Sequence, residues 1–81
     1  MRQFISRAMH QSDDLVVEFD YTDAKGNTTH RVVSPIRFLG PDRFLGLCLS
    51  REEPRQFYLV RCKNVHLAPA ADFLMPVAMA G

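Results

Sequence analysis

The sequence predicts a mainly β fold, a small five-stranded antiparallel barrel with an N-terminal α-helix. Three observations carry this prediction: an amphipathic helical pattern opens the chain, short segments of alternating apolar and polar residues follow it, and turn residues separate these segments at regular intervals. A chain of 81 residues is one domain at most. Closing its sheet into a barrel protects strand edges that so small a sheet would otherwise expose.

The N-terminal segment, residues 2–11, predicts a short amphipathic helix. Its apolar side chains recur at helical spacing with the arginines on the opposite side, so the apolar stripe needs a sheet to pack on. At about three turns the helix would not be stable alone. The polar run from Ser12 to Asp14 ends it before the first strand.

The first hairpin joins strands at residues 15–22 and 27–34. The loop between them, from Asp23 to Gly26, is typical of a three-residue hairpin loop that closes on a glycine in the left-handed region. This loop type fixes the register of the two strands. The predicted cross-strand pairs are Val17 with Val33, Phe19 with Arg31, Asp20 with His30, and Tyr21 with Thr29.

The second hairpin is the element around which the chain is organised. Pro35 cannot donate to a ladder, so it separates the second strand from a short third strand at residues 36–39. Strands at residues 43–50 and 55–62 then form the hairpin, closed by the charged turn at residues 51–54. A loop of two or four residues gives the same pairs, whereas an odd-numbered loop slips the register by one residue. The predicted pairs are Ser50 with Arg55, Cys48 with Phe57, Gly46 with Leu59, and Phe44 with Arg61.

Both faces of this hairpin are largely apolar, but only one carries cations. By the period of two, that face holds Phe44, Cys48, Phe57 and Leu59 together with Arg55 and Arg61. The other face is predicted to be an ordinary core stripe, made of Leu45, Leu47, Leu49, Tyr58, Val60 and Cys62. In this register Cys48 and Cys62 lie ~16 Å apart along the sheet, beyond the ~7 Å limit for bridged Cα atoms, so we predict no disulfide between them.

The C-terminal part changes in composition after residue 67. Residues 64–67 are predicted to form a terminal strand segment or a single turn, which completes a barrel domain at residues 1–67. Residues 68–81 form an apolar, proline-containing tail in which Asp72 is the only charge. We expect this tail to dock on its own barrel or on a second subunit, because leaving its large apolar side chains in water forgoes about 1.5–3 kcal/mol for each.

The composition narrows the possible functions. The formal net charge is +1, but residues 1–30 hold three cations against five carboxylates, whereas residues 31–63 hold seven against three. No signal-peptide pattern or membrane-length apolar run is present, so we expect a cytoplasmic protein without a membrane partner. The histidines, cysteines and serines fit no catalytic or metal-binding pattern, so we predict neither an enzyme nor a cofactor or metal site.

Arginines beside aromatic residues are the strongest candidates for a binding site. A guanidinium group grips a phosphate through parallel hydrogen bonds and stacks on aromatic rings. Each arginine also has an ordinary alternative, in which its methylenes cover the core and its head lies in water or pairs with a carboxylate. The predicted ligand-binding residues are Arg31, Phe44, Arg51, Arg55, Phe57 and Arg61.

These residues resemble the WYL domains, Sm-like or SH3-like barrels found mostly in bacterial transcription regulators. The likeness covers about residues 4–67 and includes Val17-x-Phe19-x-Tyr21, Arg31-x-Val33-x-Pro35 and Arg55-x-Phe57-x-Leu59-x-Arg61. Arg43-Phe44-Leu45 stands where the family has Trp-Tyr-Leu, so only the leucine of the naming tripeptide is retained. A family-typical ligand contact at Arg43 is therefore not expected.

The resemblance implies a ligand-sensing module whose basic pocket takes a nucleic acid or a nucleotide-like ligand. Such domains often share a chain with a DNA-binding winged helix; no helix-turn-helix pattern occurs here, so we expect the domain to act alone, as a homo-oligomer or through a partner regulatory protein. Two hypotheses stay open. The first is a regulatory module that binds single-stranded nucleic acid or a nucleotide, and the second is a structural or protein-interaction module, an oligomerising barrel with a docking tail.

Overall fold

The computed structural model describes residues 2–49 and 52–73. This part of the chain begins with one α-helix and continues with five strands and two short 3-10 turns. The elements are α1 (Arg2–His10), β1 (Leu15–Thr22), β2 (Thr28–Phe38), β3 (Arg43–Cys48), β4 (Glu53–Tyr58), the first 3-10 turn (Leu59–Arg61), β5 (Cys62–Pro69) and the second 3-10 turn (Ala70–Asp72). The predicted helix is confirmed to within one residue.

The five strands form one antiparallel sheet in the order β4-β3-β2-β1-β5. In a flat sheet, β4 and β1 would lie three strand spacings apart, or about 14 Å. The ring centroids of Tyr21 on β1 and Phe57 on β4 are nevertheless 5.2 Å apart, and the Tyr58 N–H donates to the Tyr21 hydroxyl at 3.1 Å. The sheet is therefore strongly rolled, and the predicted mainly β, barrel-like fold with an N-terminal helix is confirmed.

The core lies on the concave side of this sheet, which we call the inner face. Its centre is an aromatic cluster in which Phe19, Phe44 and Phe57 are at most 2% exposed. Helix α1 packs Ile5 and Ala8 against the same cluster. Burying each large apolar side chain contributes about 1.5–3 kcal/mol, so this cluster supplies much of what holds so short a chain together.

The register of the first hairpin is as predicted, including all four predicted pairs. Gly26 has a φ of 88°, the left-handed conformation that the loop requires. The Asp23 carboxylate accepts hydrogen bonds from the backbone N–H groups of Lys25 and Asn27, both at 2.9 Å. These local interactions explain why the pairing could be derived from the loop sequence alone.

Strand β2 is longer than predicted because Pro35 does not interrupt it. Pro35 is buried and pairs with Gly46 on β3, and the register shifts between Pro35 and Arg37. A bulge locally disrupts the ladder, which is where a sheet tolerates a residue without an N–H donor. The predicted separate strand at residues 36–39 is therefore the second half of β2.

The predicted register of the second hairpin is wrong by four residues. Phe44 pairs with Phe57 rather than Arg61, and Cys48 pairs with Glu53 rather than Phe57. Pro54, predicted to lie in the turn, instead pairs with Leu47 within β4, and this position suits proline because β4 is an edge strand.

Since the shift is even, each residue that lies in β3 or β4 keeps its predicted face, but the roles of the two faces are exchanged. The face with Phe44, Cys48 and Phe57 is the core, whereas the members of the predicted core stripe that lie in β3 and β4 point outward. On that outward face Tyr58 is 39% exposed, and in the turn that follows it Val60 is 83% exposed. Cys62, the last member of that stripe, lies beyond β4 and is buried in the core cluster.

The chain after β4 also differs from the prediction. Leu59–Arg61 turns as a 3-10 helix instead of continuing the strand, and the predicted terminal segment is the centre of a full strand, β5. That strand and the turn after it pass the predicted domain boundary at residue 67: Ala68 and Ala70 are buried against Val16, and the Ala70 N–H donates to the Asp14 carbonyl at 2.8 Å. The remainder of the predicted docking tail, residues 74–81, lies outside the described residues.

The two thiols of Cys48 and Cys62 are buried and do not form a disulfide, as predicted. Burial raises the pKa of the Cys62 thiol to about 12. Within residues 2–49 and 52–73, no helix has the length and apolar character needed to cross a bilayer.

Candidate ligand-binding site

Arg31 and Arg55 both project from the inner face, one on each side of Cys48. Cys48 pairs with Val33 on β2 and with Glu53 on β4, so each arginine stands two positions from one of its partners. Residues two apart on a strand point to the same side of the sheet. The structure thus places two of the four predicted arginines on the same face of the sheet, and we call them the inner-face pair.

The inner-face pair is half-buried and has few partners. Arg31 donates from Nε to the Thr29 hydroxyl at 3.0 Å, and its Nη1 lies 3.9 Å from the Cys48 sulfur. The Arg55 guanidinium makes no hydrogen bond or ion pair with any residue in the described part of the chain. Because a guanidinium carries five N–H donors, both arginines retain donors for an anionic guest.

Phe44 and Phe57 do not have ring faces available to a ligand. Both are almost fully buried, and their rings stack on each other with centroids 5.5 Å apart. Phe57 also meets Phe19 edge-on at 5.4 Å. These rings belong to the core, and we remove them from the set of residues that contact a ligand.

Arg61 has different neighbours because it ends the first 3-10 turn. Its guanidinium carbon lies 5.6 Å from the centre of the Tyr58 ring. It also lines a cleft of about 350 Å³ together with Lys63 and the β1–β2 loop; the other lining residues are Thr22, Asp23, Ala24, Gly26 and Val60. The predicted Arg51 lies outside the described residues.

Asp23, one of the residues that line this cleft, accepts two hydrogen bonds from its own loop through Oδ1. The Asp23 carboxylate has a pKa below its ordinary value, chiefly because the Asn27 backbone N–H donates to it, with a smaller contribution from the charge of Arg61. Asp23 is thus ionised and committed to its own loop, and no ion pair joins it to Arg61 among the described residues. The cleft lining therefore holds two cations, Arg61 and Lys63, against the one carboxylate of Asp23.

Sequence reasoning missed three residues in this region. Tyr58 was assigned to the core stripe, Arg43 was set aside as a departure from the family tripeptide, and Lys63 was not singled out. The structure places Arg43 opposite Tyr58 in the β3–β4 ladder, with its guanidinium carbon 5.8 Å from the ring centre. The positive charges of Arg61 and Lys63 are visible in the sequence, but the outward direction of Tyr58 depends on how the sheet rolls.

A second polar cluster spans three strands on the outer face. His30 bonds the Asp20 carboxylate through Nδ1 at 3.2 Å and the Glu18 carboxylate through Nε2 at 3.0 Å. Since both acceptors are carboxylates, both ring nitrogens need protons, and the pKa of His30 is raised, most of all by the bond to Glu18. The other Glu18 oxygen bonds His66 on β5 at 3.1 Å, and Asp20 accepts from the Asn64 side chain at 2.9 Å.

This cluster ties β2, β1 and β5 together through side-chain hydrogen bonds. The described residues contain no group of three or more histidine, cysteine or carboxylate side chains arranged to bind a metal ion. Its polar atoms are instead used on one another, as the cross-strand pairing of Asp20 with His30 predicted.

Comparison with known proteins supports the fold. No family model matches this sequence, and no curated protein matches it. Among solved structures, the chain is similar to proteasome accessory factor B/C (PafBC) of Arthrobacter aurescens, a WYL-domain-containing regulator, with a TM-score of 0.62 and 26% sequence identity over 95% of this chain. The chain has a WYL-like fold. It spans only 12% of the PafBC chain. In this WYL-like fold Arg43-Phe44-Leu45 opens β3, with Phe44 in the core.

Proposed function

We propose that this chain is a regulatory ligand-sensing module that binds single-stranded nucleic acid or a nucleotide-like ligand through its arginines. The contacts assigned are phosphate contacts at Arg31 and Arg55, with Arg61 at the cleft beside the β1–β2 loop and Arg51 added from the sequence alone. The module has no catalytic role in this proposal; it acts in the cytoplasm, by itself, as a homo-oligomer or with a partner regulatory protein.

The observation that carries the proposal is that the half-buried Arg55 guanidinium has no hydrogen-bond or ion-pair partner among the described residues. A half-buried guanidinium loses part of its hydration, and proteins usually offset that loss with a carboxylate or with several hydrogen bonds. Arg55 has neither among the described residues, and Arg31 on the other side of Cys48 has only a hydroxyl and a sulfur. Phosphates of a ligand that lies along the inner face would supply the missing acceptors, and a phosphate oxygen is a strong acceptor for arginine.

The regulatory part of the proposal rests on the likeness to PafBC. That protein is a regulator, and the region matched here is a small share of it, so the likeness supports a sensing module rather than any particular pathway. The cation-rich second half of the sequence favours a phosphate-bearing ligand over a neutral one.

The test is equilibrium binding of fluorescent single-stranded oligonucleotides to the wild type and to the double variant Arg31→Ala/Arg55→Ala. Loss of two phosphate contacts should weaken binding strongly at low salt, because the electrostatic part of the affinity is largest there. The matched control is Arg7→Ala/Arg37→Ala, which removes the same charge from two exposed positions. The control should retain most of the affinity.

Two outcomes would contradict the proposal. Equal weakening by both double variants would mean that net charge alone, not the inner-face pair, attracts the oligonucleotide. Unchanged affinity together with a large drop in melting temperature for Arg31→Ala/Arg55→Ala would make these arginines supports of the core edge. In that case the oligomerising interaction module becomes the better account, and sedimentation of the wild type would measure its assembly.

A further inference from the structure

We infer that Tyr58, flanked by Arg43 and Arg61, is a stacking platform for a nucleobase whose neighbouring phosphate lies at the cleft beside Arg61 and Lys63. We call these four residues the Tyr58 platform. This inference rests on the proposed function and adds the base-recognising part that the buried Phe44 and Phe57 do not supply. The chemistry recognised is a base joined to a phosphate, whether in an oligonucleotide or in a free nucleotide.

Tyr58 is an exposed aromatic residue on a fixed backbone. Tyr58 is 39% exposed, whereas the preceding Phe57 is 2% exposed. Its N–H donates to the Tyr21 hydroxyl at 3.1 Å, and its carbonyl accepts from the Cys62 thiol at 3.4 Å. The ring is therefore presented to solvent from a backbone that is held on both sides, which lowers the entropic cost of stacking a guest on it.

The two cations beside the ring are held differently. Arg43 is anchored, since its Nη1 donates to the Gln56 side chain at 3.2 Å and its Nε to the Leu39 carbonyl at 3.4 Å. The Arg61 guanidinium makes no hydrogen bond or ion pair among the described residues, so it can follow a phosphate. One cation thus fixes the edge of the platform and the other is free to bind.

Neither arginine lies in direct contact with the face of the Tyr58 ring. The Arg43 and Arg61 guanidinium carbons lie 5.8 and 5.6 Å from the Tyr58 ring centre. In the same chain, Arg2 stacks on Phe38 at 3.9 Å, which is the separation of a guanidinium in direct contact with a ring. Both distances are within the range of a cation–π interaction, but Tyr58 remains 39% exposed, so part of its ring surface is open to a planar base. Bases of any sequence offer such a π-face.

The cleft supplies the phosphate side of the site. It has a volume of about 350 Å³, within the range of small-molecule sites, and Arg61 belongs to both the cleft and the platform. Lys63 adds a second cation to the cleft wall, and Val60, 83% exposed, adds an apolar surface that nothing in the described chain covers. A cation pair beside an exposed aromatic and an aliphatic side chain fits a nucleotide better than an inorganic anion.

The experiment compares an oligothymidylate of about 12 nucleotides with an abasic strand of the same length, a size that a small barrel accommodates. Each is titrated into the wild type, Tyr58→Ala and Tyr58→Phe, at one salt concentration. Tyr58→Ala should weaken binding of the thymidylate by roughly 5- to 150-fold, the loss typical of a deleted base stack, and leave the abasic strand unchanged. Tyr58→Phe should restore the thymidylate affinity, because it keeps the ring.

The backbone contacts of Tyr58 do not involve its side chain, so both variants are expected to fold, and circular dichroism verifies this. The chain has two tyrosines and no tryptophan, so quenching of tyrosine fluorescence that is lost in Tyr58→Ala gives a second measure of stacking. Thymidine monophosphate and inorganic phosphate, titrated in the same way, separate a free nucleotide from a strand as the ligand.

The outcomes separate this inference from the proposed function. If Tyr58→Ala leaves thymidylate binding intact, or weakens the abasic strand equally, the Tyr58 platform is refuted while the inner-face pair still stands. If the wild type binds neither strand nor the monophosphate, the proposed function and the platform both fail.

Discussion

Replacing Phe57 tests whether the arginine-bearing face is the inside of the barrel. The Phe57 ring is 2% exposed and contacts three other rings, with centroid distances of 5.2–5.5 Å. Truncating such a residue to alanine costs about 3–5 kcal/mol. A chain of 81 residues has a total stability of about 4–12 kcal/mol, so Phe57→Ala should leave the domain marginal or unfolded.

The companion variant Phe57→Leu keeps the experiment informative, because it retains most of the apolar volume and should cost about 1–1.5 kcal/mol. Urea unfolding followed by circular dichroism measures this; with a slope of about 1 kcal/mol per molar, the midpoint should fall by about 1–1.5 M. Val60→Ala, at an exposed position, should change the free energy of unfolding by less than about 0.5 kcal/mol. Phe57→Leu should retain oligonucleotide affinity. Unchanged stability with a large loss of affinity would refute the placement of Phe57 in the core.

Three further predictions concern single residues. The hydrogen bond to Glu18 raises the pKa of His30, so the contribution of His30 to stability is complete below the ordinary histidine pKa of 6.5 and is lost as the pH rises through the raised value. In thermal unfolding, His30→Gln should therefore destabilise the protein more at about pH 6 than at about pH 8.5. Equal effects at the two pH values would contradict the hydrogen-bond network. Gly46→Ala places a methyl group against the Val33 side chain on the inner face, so it should destabilise the fold by about 1–3 kcal/mol in urea unfolding, and a neutral result would show that the core yields there. Burial raises the pKa of Cys62 to about 12, so its thiol should resist labelling at about pH 8 until the protein unfolds. Peptide mapping of the labelled protein measures this. Rapid labelling of the folded protein would contradict the buried position of Cys62.

The parts of the fold that local chemistry determines were predictable. The Asp23–Gly26 loop combines a carboxylate that bonds its own backbone with a glycine at positive φ, and this combination fixes the pairing of the two strands on either side. The helix was predictable for a similar reason, because its apolar spacing depends only on neighbouring residues.

The second hairpin was harder because its turn residues also fit a strand. Pro54 is a turn former in most settings, but an edge strand tolerates a residue without an N–H donor. Because β4 is an edge strand, Pro54 lies within it, and β4 begins at Glu53 instead of after the predicted turn at residues 51–54. Glu52 has a φ of 55°, a left-handed conformation that is uncommon for residues other than glycine and that the sequence therefore does not predict.

The candidate site was predictable in composition but not in geometry. Both faces of the hairpin are apolar, so alternation alone does not show which one becomes concave when the sheet rolls. The direction in which the sheet rolls buries Phe57 and exposes Tyr58. The exposed aromatic residue is therefore Tyr58, the residue directly after the Phe57 that the sequence suggested.

The salt dependence of oligonucleotide binding tests the central claim most directly. Each phosphate contact on a single strand contributes about 0.7 to the slope of log affinity against log salt concentration. For Arg31→Ala/Arg55→Ala, measured by fluorescence anisotropy between about 50 and 200 mM salt, the slope should be smaller than that of the wild type by about 1.4, while Arg7→Ala/Arg37→Ala keeps the wild-type slope. A wild-type slope in the inner-face variant would mean that Arg31 and Arg55 do not contact phosphates.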